Sequence, residues 1–180
     1  MRIPLDDSCA LLIDVQERLY PHIHEKEALL SRIQVLFRGL KLLHVPYLVS
    51  EQYVKGLGRT LPDLSEFLQG HEPVEKMSFS CCDEPRLMLR MHEFQRNMVI
   101  LAGIEAHVCV LQTVLDLREN GYTPVVVVDA ISSRRPLDKQ VALDRMKREG
   151  ALLTTTESLL LELCRSSGTE LFKSISALIK

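Results

Sequence analysis

Cys109 is the residue of this chain whose surroundings say most about chemistry. In the stretch MVILAGIEAHVCV, Met98 to Val110, an apolar run of strand length ends at Gly103, and amphipathic helical spacing begins just past His107. The pattern predicts a buried strand, a tight loop and a helix with Cys109 in its first turn. Free backbone N–H groups and the positive end of the helix dipole at such a position favour a thiolate. That would be a sulfur nucleophile with an anion site beside it. Two further residues could serve it: Asp14, which closes the apolar run Ala10-Leu11-Leu12-Ile13, and Lys76, which follows a brief apolar stretch at Val74. Taken singly, each has an ordinary reading as well: an inert buried thiol, a turn or cap carboxylate, and a solvated surface amine.

The elements that must position these groups alternate from end to end. Leu29, Ile33, Leu36, Leu40 and Leu43 recur at helical spacing between Glu25 and His44, and Pro46 stops that helix before a second strand, Tyr47-Leu48-Val49. SEQYVKGLGRT, with two glycines, reads as an ordered loop, followed by a short helix after Pro62, a strand near Val74 and a helix from Pro85 to Phe94. Beyond the cysteine helix, which Gly121 is placed to end, Val125 to Val128 is β-branched throughout, as in a strand buried on both faces. A helix from Leu137 to Glu149, a last strand from Ala151 to Thr154 and two helical stretches complete the chain. Strands separated by helices imply parallel pairing with right-handed crossovers. The expected fold is a Rossmann-like three-layer α/β/α sandwich with a largely parallel six-stranded sheet, one domain over residues 1–180. Ligands of such sheets bind beyond the C-terminal strand ends. Asp14 and Cys109 both lie there, and Glu51 and Gln52 share that rim.

Composition bounds the partners. A chain of 180 residues with 46% hydrophobic and 26% charged residues is ordinary for a soluble globular protein. The net charge of -2, with no basic run, argues against nucleic acid as the main partner, and no stretch is long and apolar enough to cross a membrane. The N-terminus lacks the pattern of a signal peptide. Five cysteines, odd in number and without C-x-x-C spacing, point to a reducing compartment, with the cytoplasm as the expected location.

LLIDVQ, EKMSFS and GIEAHVCV together resemble the three signatures of the isochorismatase-like cysteine hydrolases, and the loop SEQYVKGLG resembles that of the small single-domain branch of isochorismatase-domain proteins. The resemblance covers nearly the whole chain, and GIEAHVCV is its specific part. It implies Asp14 as acid/base, Lys76 as cationic partner and Cys109 as nucleophile. The chemistry is consistent with those roles: Asp14 can take the thiol proton and deliver it to a leaving amine, while Lys76 favours both charged forms. The resemblance also implies a cis peptide at Ile104–Glu105, which brings the N–H groups of Glu105 and Cys109 together as an oxyanion hole. Strand-end position and resemblance nominate Gln16, Tyr20, Gln52, Phe79 and Cys81 to line a substrate pocket.

Departures from the family pattern narrow the activity. Nicotinamidases of this family hold a metal with an aspartate and histidines after the second strand. Here that stretch is Glu51, Gln52 and Tyr53, and His71 has no partner at ligand spacing. No catalytic metal and no cofactor are expected, and nicotinamide is disfavoured as substrate. Isochorismatases proper act on a vinyl ether without a cysteine nucleophile, so retention of Cys109 points to acyl chemistry. The reading is hydrolysis of a small amide, carbamoyl or related carbonyl compound. A catalytically quiet small-molecule binder or scaffold and a thiol redox responder stand as alternatives. A homo-oligomer is expected, with Leu159 to Leu163 (LLLEL) as interface patch or, equally, as packing for the chain's own core. His107, two residues before the cysteine, either tunes the pocket or sits on its flank.

Overall fold

The computed structural model describes all 180 residues. Six strands form one parallel sheet: β1 (Ser8–Ile13), β2 (Tyr47–Gln52), β3 (Val74–Lys76), β4 (Met98–Ile104), β5 (Thr123–Ser132) and β6 (Leu152–Thr154), in the order β3-β2-β1-β4-β5-β6. The helices are α1 (Lys26–Leu42), the single turn α2 (Val54–Leu57), α3 (Pro85–Glu93), α4 (Leu111–Glu119), α5 (Pro136–Arg148), α6 (Thr156–Cys164) and α7 (Glu170–Ile179).

Alternation along the strands assigns the two faces. Ala10 and Leu12 of β1, with Met98, Ile100, Ala102 and Ile104 of β4, join the layer containing α1, α6 and α7. Cys9, Leu11 and Ile13, with Val99 and Leu101, join the layer of α3, α4 and α5. Strands β1 and β4, at the centre of the sheet, are therefore apolar on both sides, as a sheet covered by helices requires. Leu159, Leu160 and Leu163 are buried in the α1 layer, so the LLLEL run serves the chain's own core rather than an interface. Gly39 of α1 is what admits them: a Cβ there would come within 2.5 Å of Leu160.

Chain order reverses between β1 and β4, the switch point where open α/β sheets place their ligands. The two strands run in register from Ser8 opposite Met98 to Ile13 opposite Gly103. Gly103 has φ +129°, and a Cβ at this position would overlap the Ile13 carbonyl oxygen. Only glycine lets the two strand ends approach so closely, and both site loops leave from this point.

Three elements differ from the sequence expectation. Strand β2 continues through Ser50, Glu51 and Gln52, because these pair with Val74, Glu75 and Lys76 of β3. Local pattern could not show that pairing, so the residues read as loop. Strand β5 spans ten residues, with an irregular register opposite Leu101 to Gly103. Cys109 lies in a π-helical turn, Ala106–Val110, and the α-helix proper begins at Leu111. No helix is long and apolar enough to cross a membrane.

Candidate active site

Asp14 is the first residue past β1 and adopts a left-handed conformation (φ 54°), which aspartate tolerates better than most residues. Its N–H donates to the Ser50 carbonyl at 3.2 Å, which ties the turn to β2. Lys76, the last residue of β3, crosses beneath β2 to meet it: Nζ donates to Asp14 Oδ2 at 2.7 Å, with both side chains fully buried. Nζ also donates to Gln52 Oε1 at 2.7 Å and lies 3.2 and 3.1 Å from the carbonyl oxygens of Ser78 and Phe79. Three ammonium protons thus have four acceptors, and the ammonium is held from every side. Ser50 Oγ donates to the other carboxylate oxygen, Asp14 Oδ1, at 2.7 Å. Cys109 completes the group: the residue is only 5% exposed, and its thiol lies close enough to Asp14 and Lys76 to feel both charges. Asp14, Lys76 and Cys109, 95 residues apart at the extremes by number, therefore meet in one buried cluster.

The electrostatics of this cluster revise the expected thiolate. Burial pushes the Cys109 thiol well above its ordinary range, and the adjacent Asp14 carboxylate pushes it further; Lys76 offsets only part of this. The resting sulfur is protonated, and a π-turn in place of an α-helical first turn surrounds it. The Lys76 ammonium is disfavoured by burial, but the Asp14 carboxylate at 2.7 Å outweighs this and leaves its pKa raised. Resting charges are a carboxylate and an ammonium beside a neutral thiol.

Of the nominated pocket residues, Gln52 reaches the cluster through its bond to Lys76, and its Nε2 donates to the Met77 carbonyl at 2.8 Å. Gln16 has no group free for a substrate: Oε1 accepts from Gln52 N–H at 2.7 Å, while Nε2 donates to the carbonyls of Gln52 and Gly58. It is a clamp between β1 and the loop after β2. Tyr20 turns toward the start of α1, its hydroxyl donating to the Lys26 carbonyl at 3.0 Å. Phe79 lends its backbone oxygen to Lys76, while the residue is 54% exposed. Cys81 is fully buried and gives its thiol to Ser50 Oγ at 3.6 Å. Burial raises its pKa to about 11. Strand-end position brings a residue to the rim but does not say which neighbour claims its polar atoms.

The Ile104–Glu105 peptide is cis. The Glu105 carboxylate accepts from the Arg134 backbone N–H at 3.2 Å and from Arg134 Nε, and His107 Nδ1 lies 3.3 Å from it and 3.0 Å from Ser133 Oγ. His107 thus sits on the flank, fastening the loop to the end of β5. Glu51 accepts from Thr60 N–H and Oγ1 and from Arg59 Nη1, and His71 stacks on Tyr47 at 4.1 Å. No three His, Cys, Asp or Glu side chains converge to hold an ion.

Ser50 went unnoticed in the sequence. The available signal was a small hydroxyl directly after the apolar run Tyr47-Leu48-Val49; only the structure shows it in register with Ile13, the residue preceding Asp14.

A family model for the isochorismatase domain matches residues 8–158. The chain belongs to the isochorismatase family. Isochorismatase domain-containing protein 2A of Mus musculus is 42% identical, the match covering 99% of this chain and 85% of that protein. A structure described as MAR1 ribonuclease from Caenorhabditis elegans is 40% identical, with a TM-score of 0.92 over 99% of this chain and 92% of its own. The Escherichia coli YcaC structure, described as an octameric hydrolase of unknown specificity, superposes with a TM-score of 0.94 over 99% of this chain and 89% of its own. At 22% identity it shows the isochorismatase-like fold alone. Family membership and fold together suggest a hydrolase.

Proposed function

We propose that this isochorismatase-family protein is a thiol hydrolase of a small amide, carbamoyl or related carbonyl compound. The observation that carries the proposal is the fully buried Asp14–Lys76 ion pair, at 2.7 Å, beside the buried Cys109 thiol. In the first step Cys109 Sγ bonds to the substrate carbonyl carbon as its proton passes to Asp14. The N–H groups of Glu105 and Cys109 receive the oxyanion. Collapse breaks the C–N bond, Asp14 returns the proton to the leaving amine, and a thioester remains. Water then attacks the thioester with Asp14 again taking a proton, and the acid and free thiol are released. Lys76 keeps Asp14 anionic between steps, and Gln52 with the Ser78 and Phe79 carbonyls keeps Lys76 in place.

The ribonuclease description belongs to the worm protein. For this chain, a net charge of -2 and a nucleophile 5% exposed favour a compact neutral substrate over an RNA strand, whose binding calls for a basic surface. A reducing, cytoplasmic setting fits five unpaired cysteines, and a homo-oligomer belongs to the same reading. Amine and ammonia release from a panel of small amides, carbamates and ureas, with an RNA oligonucleotide alongside, tests the proposal. Turnover of a small compound that vanishes in Cys109→Ala supports it. RNA cleavage with no turnover of the small compounds overturns it.

A further inference from the structure

Ser50 and Cys81 lie outside the catalytic roles above, yet both are fully buried and in line with Asp14. Cys81 Sγ lies 3.6 Å from Ser50 Oγ, and Ser50 Oγ lies 2.7 Å from Asp14 Oδ1. Direction along this line follows from the donors available. A carboxylate only accepts, so the Ser50 hydrogen points at Asp14 and its oxygen is left to accept. A thiol S–H is the donor that fills it. The backbone holds the line in place: Ser50 pairs with Ile13 of β1, and Cys81 N–H donates to Thr113 Oγ1 of α4 at 3.0 Å. The groups acting on the Asp14 carboxylate are Lys76 from β3, Ser50 from β2 with Cys81 behind it, and Cys109 from the π-turn.

We infer that Ser50, with its hydroxyl oriented by the Cys81 thiol, is a positioning residue that sets the basicity of Asp14 and thereby how readily Cys109 gives up its proton. The inference rests on the reading of Asp14 as the base for Cys109. The O–H donation stabilises the carboxylate but not its protonated form. Its loss makes Asp14 a stronger base, which favours transfer of the Cys109 proton and moves protonation of the pair to higher pH.

Site-resolved alkylation of Cys109 by iodoacetamide, followed against pH by mass spectrometry, separates these effects because the two sites titrate together. In wild type the rate has an acid limb where the coupled Asp14–Cys109 pair takes up its proton and a plateau above it. In Ser50→Ala the limb moves up by about one pH unit and the plateau rises by about tenfold, the scale of one hydrogen bond to a charged group. Rates below the limb coincide with wild type, since both proteins then hold a protonated Asp14. General loosening of the site would instead raise the rate at every pH. Cys81→Ala gives a smaller change in the same direction, and Cys81→Ser and Ser50→Thr, which keep the donors, return toward the wild-type profile. An unshifted limb in Ser50→Ala and in Cys81→Ala overturns the inference; if Ser50→Ala does not fold, Cys81→Ala and Ser50→Thr decide it. Asp14→Asn guards the underlying reading. It must reduce the profile to a single thiol titration, and if the acid limb persists in that variant the assignment of Asp14 as base fails instead.

Discussion

Replacing Lys76 by methionine tests the electrostatic core of the site. The perturbation removes an ammonium with no solvent exposure and leaves the Asp14 carboxylate, equally buried, with Ser50 as its donor. Gln52 Oε1 and the Ser78 and Phe79 carbonyl oxygens lose the same partner. Breaking one half of a buried ion pair costs about 3–5 kcal/mol. For a chain of this size each kcal/mol lowers Tm by about 2–4 °C, so Lys76→Met is expected to melt on the order of 10 °C below wild type at neutral pH. The double variant Asp14→Asn/Lys76→Met leaves no buried charge and recovers at least about 2 kcal/mol of that loss. The pH dependence follows from the raised pKa of Lys76: its contribution is complete below the ordinary lysine value of 10.5 and is lost as pH rises through the folded-state value. Denaturant unfolding of the two single variants, the double variant and wild type at pH 7 closes the cycle. A loss below about 1 kcal/mol in Lys76→Met, or a double variant no more stable than that single one, would refute the account of the pair.

Three further outcomes are expected. Gly103→Ala forces a Cβ into the Ile13 carbonyl at a positive φ and should cost on the order of 3 kcal/mol or more, read as failure to express in soluble form or a large drop in denaturation midpoint. Gln16→Ala strips the buried Gln52 N–H of its acceptor and should cost about 1–3 kcal/mol by denaturant unfolding, with Gln16→Glu no substitute because it lacks the Nε2 donor. Cys81, raised from 9.0 to about 11, contributes stability that is complete below pH 9 and lost progressively up to about 11, because the unfolded chain ionises first. Thermal melts from pH 8 to 11 should fall less steeply in Cys81→Ala than in wild type.

What could be read from sequence was governed by how local the determining interaction is. Strands β1 and β4 announce themselves as apolar runs, and their C-terminal ends locate Asp14 and Cys109 on one rim because parallel topology allows few alternatives. The extension of β2 through Gln52 depends on pairing with β3, more than twenty residues away, so no local pattern carries it. The thiolate expected of Cys109 came from helix position and from Lys76 as a cationic neighbour. Burial and the Asp14 carboxylate, both tertiary, act against it and leave a protonated sulfur. Gln16 and Cys81 lie where the sequence put them, at the rim, but a glutamine amide or a thiol has several possible partners, and only the packed structure decides among Gln52, Gly58 and Ser50.

In the proposed mechanism Cys109 carries an acyl group between two steps that share Asp14. Intact-mass spectrometry of the protein mixed with small amides, carbamates and activated esters, on wild type, Cys109→Ala and Asp14→Asn, tests it most directly. The expected result is a covalent acyl adduct on wild type that maps to Cys109, is absent from Cys109→Ala and forms far more slowly on Asp14→Asn with the amides. No adduct and no product from any compound, with Cys109 no more reactive than the other four thiols, would contradict it.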